Sequence, residues 1–363
     1  MTKNSTSKGI ATVIGLDLAD MESRYVGIDD RGSVVEEGTA ATTQAGLEKM
    51  LRGRPESIVA IEAGTHSPWV SRLLGGLGHQ VVVANPRQVA LIYRSKRKSD
   101  RLDAMTLARL ARSDPELLYP LTHRGEEAQV ALGVLRSRAA LVSARTNLIN
   151  HVRGSVKSFG GRIPSCSAEA FAARAIEYVP APLRAGLLPV VEEIASLTAR
   201  IRSYDKEVAR LISQEYREAL VLQQVDGVGP ITSLTYVLTI ENPGRFATSR
   251  DVPAYLGLTP GRRQTGASDP AMRITKAGDV FLRRTLVQSA QYILGPFGKE
   301  SDLRDWGLRI AGPPVEGRKG RRLGKKRAVI AVARKLAVLL HSLWTTGEVY
   351  EPRRQGVDLA RAS

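Results

Sequence analysis

Over roughly the first ninety residues the apolar positions fall in short unbroken runs bounded by turn residues; beyond residue 126 they recur at steps of three and four. Unbroken runs suit strands covered on both faces, whereas the longer steps suit one face of a helix. Strands are predicted at 11–19, 24–30 and 33–39, followed by a helix over Thr43–Leu51 with Thr42 and Thr43 as cap candidates. The run Ser57-Ile-Val-Ala-Ile-Glu62 is broken by Gly64 and Pro68, a helix Trp69–Leu77 stops at Gly78, and Gln80-Val-Val-Val-Ala84 closes at Asn85-Pro86. Strands alternating with helices at this spacing predict an α/β layer with a mixed sheet. One more helix is expected over Ala104–Arg112, apolar at Met105, Leu107, Ala108 and Ala111.

The second part of the chain reads as helical. Leu135, Val142, Ile149 and Val156 stand at sevens within 126–158, and Leu187, Val190, Ile194, Leu197, Ile201, Tyr204, Val208 and Leu211 alternate steps of three and four. Gly160-Gly161, Pro164, Pro180 and Pro182 make a turn-rich connection around one short helix. The pair predicts a protruding antiparallel coiled coil or dimerisation element; burial within a bundle is the alternative. Val225-Asp-Gly-Val-Gly-Pro-Ile231 then joins two helical stretches through Gly227 and Gly229, the hairpin of a helix-hairpin-helix whose N–H groups can hold a phosphate without reading bases. A Gly- and Arg-rich loop (261–273), a helix from Val280 to Leu294 and an apolar helix Ala328–Trp344 follow. The domains expected are 9–125, 126–217 and 218–348, with a polar tail 349–363.

Charge narrows the function. Lys and Arg number 53 against 36 Asp and Glu, a formal charge of +17, which calls for a polyanion, nucleic acid or an anionic membrane face. There is no run of 18 apolar residues and no apolar core after Met1-Thr-Lys-Asn-Ser, so neither a membrane span nor secretion is expected and the protein reads as cytoplasmic. Cys166 stands alone, which excludes an intrachain disulfide and a cysteine-rich zinc site. The cations cluster: Arg94, Lys96, Arg97 and Lys98 precede Asp100, Arg262 and Arg263 lie in the Gly-rich loop, and seven of the ten residues 318–327 are Lys or Arg (Arg318, Lys319, Arg321, Arg322, Lys325, Lys326, Arg327). Beside a packed helix such a run reads as tracking a phosphate backbone; a solvated segment is the bland reading.

Four carboxylates occupy unusual places. Asp17 and Glu62 end apolar runs, and Asp100 and Asp103 share one face of a helix's first turn. An acid in a buried run needs a cation or a hydrogen-bond partner, and an oxygen-rich cluster suits Mg2+ acting on a phosphodiester. Against this, Asp17 could close a strand end, and Asp100 and Asp103 could serve the helix dipole.

Gly15-Leu-Asp17, Ile61-Glu62-Ala-Gly, Lys98-Ser-Asp100-Arg-Leu-Asp103-Ala, Gly257-Leu-Thr-Pro260 and Arg273-Ile-Thr-Lys276-Ala-Gly together resemble the DEDD transposases of the insertion-sequence-110 family, related to the Piv/MooV invertases. The resemblance runs through nearly the whole chain in order. It implies a RuvC-like (RNase H-type) N-terminal domain, a coiled coil and a mostly helical C-terminal transposase domain. It also implies Mg2+ dependence, site-specific DNA recombination, guidance by a structured RNA, and dimers that pair into tetramers. The family places a nucleophilic serine directly before a glycine in the loop after Gly-Leu-Thr-Pro; here Gln264-Thr265-Gly266 puts a threonine there, with Ser268 three residues on. Besides a recombinase with a hydroxyl nucleophile, two readings stand: a nuclease using metal-bound water, and a nucleic-acid-binding scaffold without chemistry.

Overall fold

The computed structural model describes residues 12–92, 99–265, 270, 272–314, 322 and 324–353. The chain divides into two compact units, up to Arg124 and from Gly125 onward.

The first unit is built on a five-stranded sheet. Its elements are β1 (Val13–Asp17), β2 (Glu22–Ile28), β3 (Val34–Ala41), α1 (Gln44–Leu51), β4 (Ile58–Glu62), α2 (Ser67–Gly76), β5 (Gln80–Ala84), α3 (Pro86–Ile92) and α4 (Asp100–Ser113). The strands lie in the order β3-β2-β1-β4-β5, antiparallel from β1 to β3 and parallel from β1 through β4 to β5. This is the mixed sheet that the alternation of apolar runs predicts.

Alternate residues of each strand supply two cores, as a pleated strand requires. Ile14, Leu16, Val59, Ile61 and Val83 pack with Leu47 of α1 and Val70 and Leu74 of α2. Val13, Val26, Ala60, Val82 and Ala84 face the other way, onto Ala104, Leu107, Ala108 and Ala111 of α4. The helix lies almost on the strand. A Cβ built on Gly15 would stand 1.9 Å from the Ala104 carbonyl oxygen and 2.6 Å from the Ala108 nitrogen.

The second unit is helical: α5 (Glu126–Ser158), α6 (Phe171–Tyr178), α7 (Arg184–Gln214), α8 (Glu218–Leu222), α9 (Pro230–Ile240), α10 (Val252–Tyr255), α11 (Val280–Ile293), α12 (Asp302–Ala311) and α13 (Lys325–Thr346). Helices α5 and α7 run antiparallel, Arg138 pairing with Asp205 at 2.6 Å and Arg145 bonding Thr198 further along. Burial along the pair is uneven. Near one end Leu132, Leu135, Val208 and Leu211 enter the large core shared with α9, α11 and α13. Toward the other, Val152, Val156, Leu187 and Ile194 close a small core with Phe171 and Ala175 of α6. Arg145 is buried between these ends, donating to Thr198 Oγ1 at 3.2 Å and Glu169 Oε1 at 3.1 Å, while Val142 and Ile149 of the heptad row are only half-buried.

Helix α9 is buried on every side from Thr232 to Ile240, as a helix apolar all round should be. The Tyr236 hydroxyl donates to the Ala337 carbonyl of α13 at 2.7 Å, and burial holds its phenol well above the ordinary range. By length and composition α13 could cross a membrane; half of that apolar stretch is buried inside the unit. It begins at Lys325, three residues before the apolar pattern starts. The last three cations of the basic run are thus its first turn, because Lys and Arg extend a helix readily.

Candidate functional site

The register of the sheet places the acids. Leu16 and Ile61 are partners on the parallel strands β1 and β4, so Asp17 and Glu62 follow side by side at the carboxyl edge, with strands about 5 Å apart. Both belong to the alternate set that faces α4, with Gly15 and Ala60. That helix begins at the same edge. Its backbone meets Gly15 at Ala104 and Ala108, and Asp100 and Asp103 occupy the turn before. The cap is Ser99, whose Oγ accepts from the Leu102 N–H. Neither aspartate is therefore needed as the cap.

The donor chemistry suits a hard cation, since carboxylates from two strand ends and one helix start are oxygen ligands and no sulfur or imidazole is required. As placed, no group of three or more Asp, Glu, His or Cys among the described residues stands ready to enclose a metal. The structure brings the acids to one edge and one face, without closing them into a cage.

Two arginines flank the acids, Arg101 within the motif around Asp100 and Arg24, which no sequence signal marks. Arg24 is the cross-strand partner of Asp17 on β2. Glu37 of β3 joins it, at 3.7 Å, to Arg101 at the start of α4, at 2.6 Å. One carboxylate thus ties the strand beside Asp17 to the turn that carries Asp100 and Asp103. The Arg24 Nε is buried without a hydrogen-bond partner.

Thr265 lies exposed on a loop of the second unit, and Arg262, Arg263 and Gln264 before it are exposed too. The base of the loop is closed. Pro260 and Ile274 form an antiparallel bridge, and the Gly261, Thr275 and Lys276 N–H groups donate to Arg273, Thr259 and Gly257 carbonyls at 2.9–3.1 Å. Gly257 and Gly278 both have positive φ, and a Cβ on either would come within about 2.2 Å of backbone at Ala277 or Tyr255; only glycine allows both. Lys276, exposed between them, also has positive φ, at 55°. Arg283 of α11 holds the base from beneath. Its Nη1 donates to the Leu256 and Ala277 carbonyls at 2.9 and 2.7 Å, a role that no local pattern announces. Ser268 lies outside the described residues.

Gly227 has a φ of +85°, with the Tyr292 ring and Ser289 of α11 alongside, and Gly229 is the N-cap of α9, which α8 precedes. Of the basic run, Lys325, Lys326 and Arg327 are exposed on the first turn of α13. Arg322 is committed to structure, its Nη1 donating to the Leu308 and Gly312 carbonyls at the end of α12 at 3.4 and 3.0 Å. Lys335 of α13 stands over the Trp306 ring at 4.1 Å, and burial, then the Arg309 guanidinium, lower its ammonium from the ordinary value. Arg94, Lys96, Arg97, Lys98, Arg318, Lys319 and Arg321 lie outside the described residues.

Comparison with known proteins agrees along the chain. A family model described as a transposase, of the DEDD IS110 type, matches residues 14–160, and the model of the transposase IS116/IS110/IS902 family matches residues 219–301. A "probable family 20 transposase" of Pseudomonas aeruginosa is 30% identical over 347 residues, 93% of this chain and 98% of that protein. The transposase for insertion sequence element IS1328 of Yersinia enterocolitica is 28% identical over 93% of this chain and 98% of its own length. The transposase for insertion sequence element IS1111A of Coxiella burnetii is 26% identical, covering 93% and 91%.

Proposed function

The chain belongs to the IS116/IS110/IS902 family of transposases, and on that premise we propose a division of labour between its two units. The sheet unit is a RuvC-like (RNase H-type) domain in which Asp17, Glu62, Asp100 and Asp103 hold Mg2+. Bound there, Mg2+ would offset negative charge on a phosphodiester under attack. The helical unit supplies the nucleophile, the Thr265 hydroxyl, with Arg262 and Arg263 beside it to neutralise the phosphate. An O–P bond forms at Thr265 Oγ1 as the bond to the departing sugar oxygen breaks, and the threonine proton ends on that oxygen. Attack by a second sugar hydroxyl reverses the step and rejoins the strands, so no co-reactant is consumed.

DNA is donor and target. Its backbone is held by the first turn of α13, by Lys276 and by the Gly227–Gly229 turn, acting as the hairpin of a helix-hairpin-helix. The finer parts of the proposal are a structured guide RNA, dimers that pair into tetramers, and use of α5 and α7 as a coiled coil.

One observation carries this reading. Asp17 and Glu62 end adjacent parallel strands in register, on the face where α4 begins with Asp100 and Asp103. The test is recombination by variants, with mass spectrometry of trapped protein–DNA adducts. Glu62→Ala and Asp103→Ala are expected to abolish cleavage while leaving DNA binding nearly intact. Thr265→Ser should keep or raise activity and Thr265→Ala lose it, with the adduct on Thr265. Recombination at the wild-type rate by Glu62→Ala overturns the metal site. Active cleavage without any adduct overturns the nucleophile and leaves attack by water.

A further inference from the structure

Two segments leave the edge that carries Asp17 and Glu62, and each is held from its own side. After Glu62, the Ala63 N–H donates to the Ala84 carbonyl at 3.0 Å. The buried Ser67 Oγ accepts from the Gly64 N–H and donates to the Gly64 carbonyl, both at 2.9 Å. After Asp17, the buried Ser23 Oγ accepts from the Ala19 N–H at 3.4 Å and meets Thr42 Oγ1 at 2.7 Å, while the Thr42 N–H donates to the Met21 carbonyl at 2.9 Å.

A side-chain contact spans the two segments. His66 Nε2 lies 3.0 Å from Asp20 Oδ1, and the Trp69 Nε1 lies 3.1 Å from His66 Nδ1, the rings edge to face at 87°. An indole N–H can only donate, so Nδ1 must offer its lone pair and the ring proton must sit on Nε2. In that arrangement Nε2–H donates a hydrogen bond to Asp20 Oδ1.

We propose that His66 is a positioning residue: fixed as the Nε2–H tautomer by Trp69, it latches the segment after Asp17 to the segment after Glu62 and so steadies, beyond what the strand pairing fixes, the two carboxylates for the cation. This rests on the reading of those acids as ligands. Groups behind the ligands commonly change metal affinity by about 10–100-fold when removed; the latch acts through backbone, so the lower end, about tenfold, is expected.

The experiment measures Mg2+ binding to the full chain by calorimetry and follows the Trp69 indole N–H by NMR in tryptophan-labelled protein. His66→Ala and Asp20→Ala should each weaken binding about tenfold, and His66→Ala should also move the Trp69 signal as its acceptor disappears. Asp20 is 94% exposed, so its loss leaves the fold intact. Asp20→Asn keeps an acceptor for a neutral donor and should bind as the wild type does. His66→Gln restores an N–H toward Asp20 and should recover affinity while the Trp69 signal stays shifted. Wild-type affinity in Asp20→Ala, or His66→Gln as weak as His66→Ala, overturns the latch. Unchanged affinity in Glu62→Ala instead overturns the ligand reading, and the latch with it.

Discussion

At position 15 a single methyl group is too much. Gly15 lets α4 rest on the β1 backbone, and that contact sets how far the helix start, with Asp100 and Asp103, stands from Asp17 two residues on. Gly15→Ala forces the helix outward. Overpacking of this kind costs about 1–3 kcal/mol, so the variant is expected to melt at a lower temperature and lose cleavage more than its stability loss alone explains. Thermal melts and cleavage assays well below the midpoint check this. Only part of the arrangement is legible in the sequence. Apolar runs announce the strand ends that carry Asp17 and Glu62, and Asp100 with Asp103, three apart, announces a helix's first turn. The Arg24–Glu37–Arg101 bridge and the Asp20–His66–Trp69 contact join positions far apart in the chain, and neither periodicity nor spacing carries information about them.

Among the elements, the pair α5–α7 departs from a plain heptad seam. On α5 the buried apolar positions gather at the two ends with Arg145 between them, while α7 keeps Leu197 and Ile201 buried in the middle stretch. The periodicity of the sequence shows two long helices but cannot show where their shared seam is interrupted, because the partners of Arg145 come from α7 and the connection. A buried guanidinium is stabilised by its partners, whereas an apolar replacement needs none. Glu169→Ala is expected to lower stability by about 1–3 kcal/mol, as loss of a hydrogen bond to a charged group does. Arg145→Met should change it by less than about 1 kcal/mol, since removing the whole pair is often neutral. Denaturant unfolding of both variants decides the matter; a larger loss in Arg145→Met would show that the guanidinium itself holds the pair together. Helix α12 is likewise marked in the sequence at its ends. Ser301 caps it, Asp302 and Asp305 sit in its first turn and Gly312 ends it, yet its apolar face is too short to stand out by periodicity.

Across the whole molecule, the charge of +17 supports a polyanionic partner, but the structure separates cations that hold the fold from cations that face outward. Arg283 and Arg322 grip backbone carbonyls, whereas Lys325, Lys326 and Arg327 are exposed at a helix start. Replacing those three with Gln should leave the melting temperature unchanged and weaken binding to all duplex sequences alike. The slope of log affinity against log salt should fall by about 0.9 for each phosphate that the protein no longer neutralises. Arg322→Gln should instead lower the melting temperature. An unchanged salt slope in the triple variant would show that α13 begins in solvent, away from DNA.

The closed base of the loop at Gly257 and Gly278 has a consequence for how such a chain can change over time. Among the described bonds that shut it, two come from the Arg283 guanidinium and most of the rest run from backbone to backbone, with the Ala277 N–H reaching Thr275 Oγ1 at 3.4 Å. Substitutions between the two limbs therefore leave the closure as it is. An exchange such as serine for threonine at 265, exposed beyond that base, can be tried while the helices beneath keep their packing.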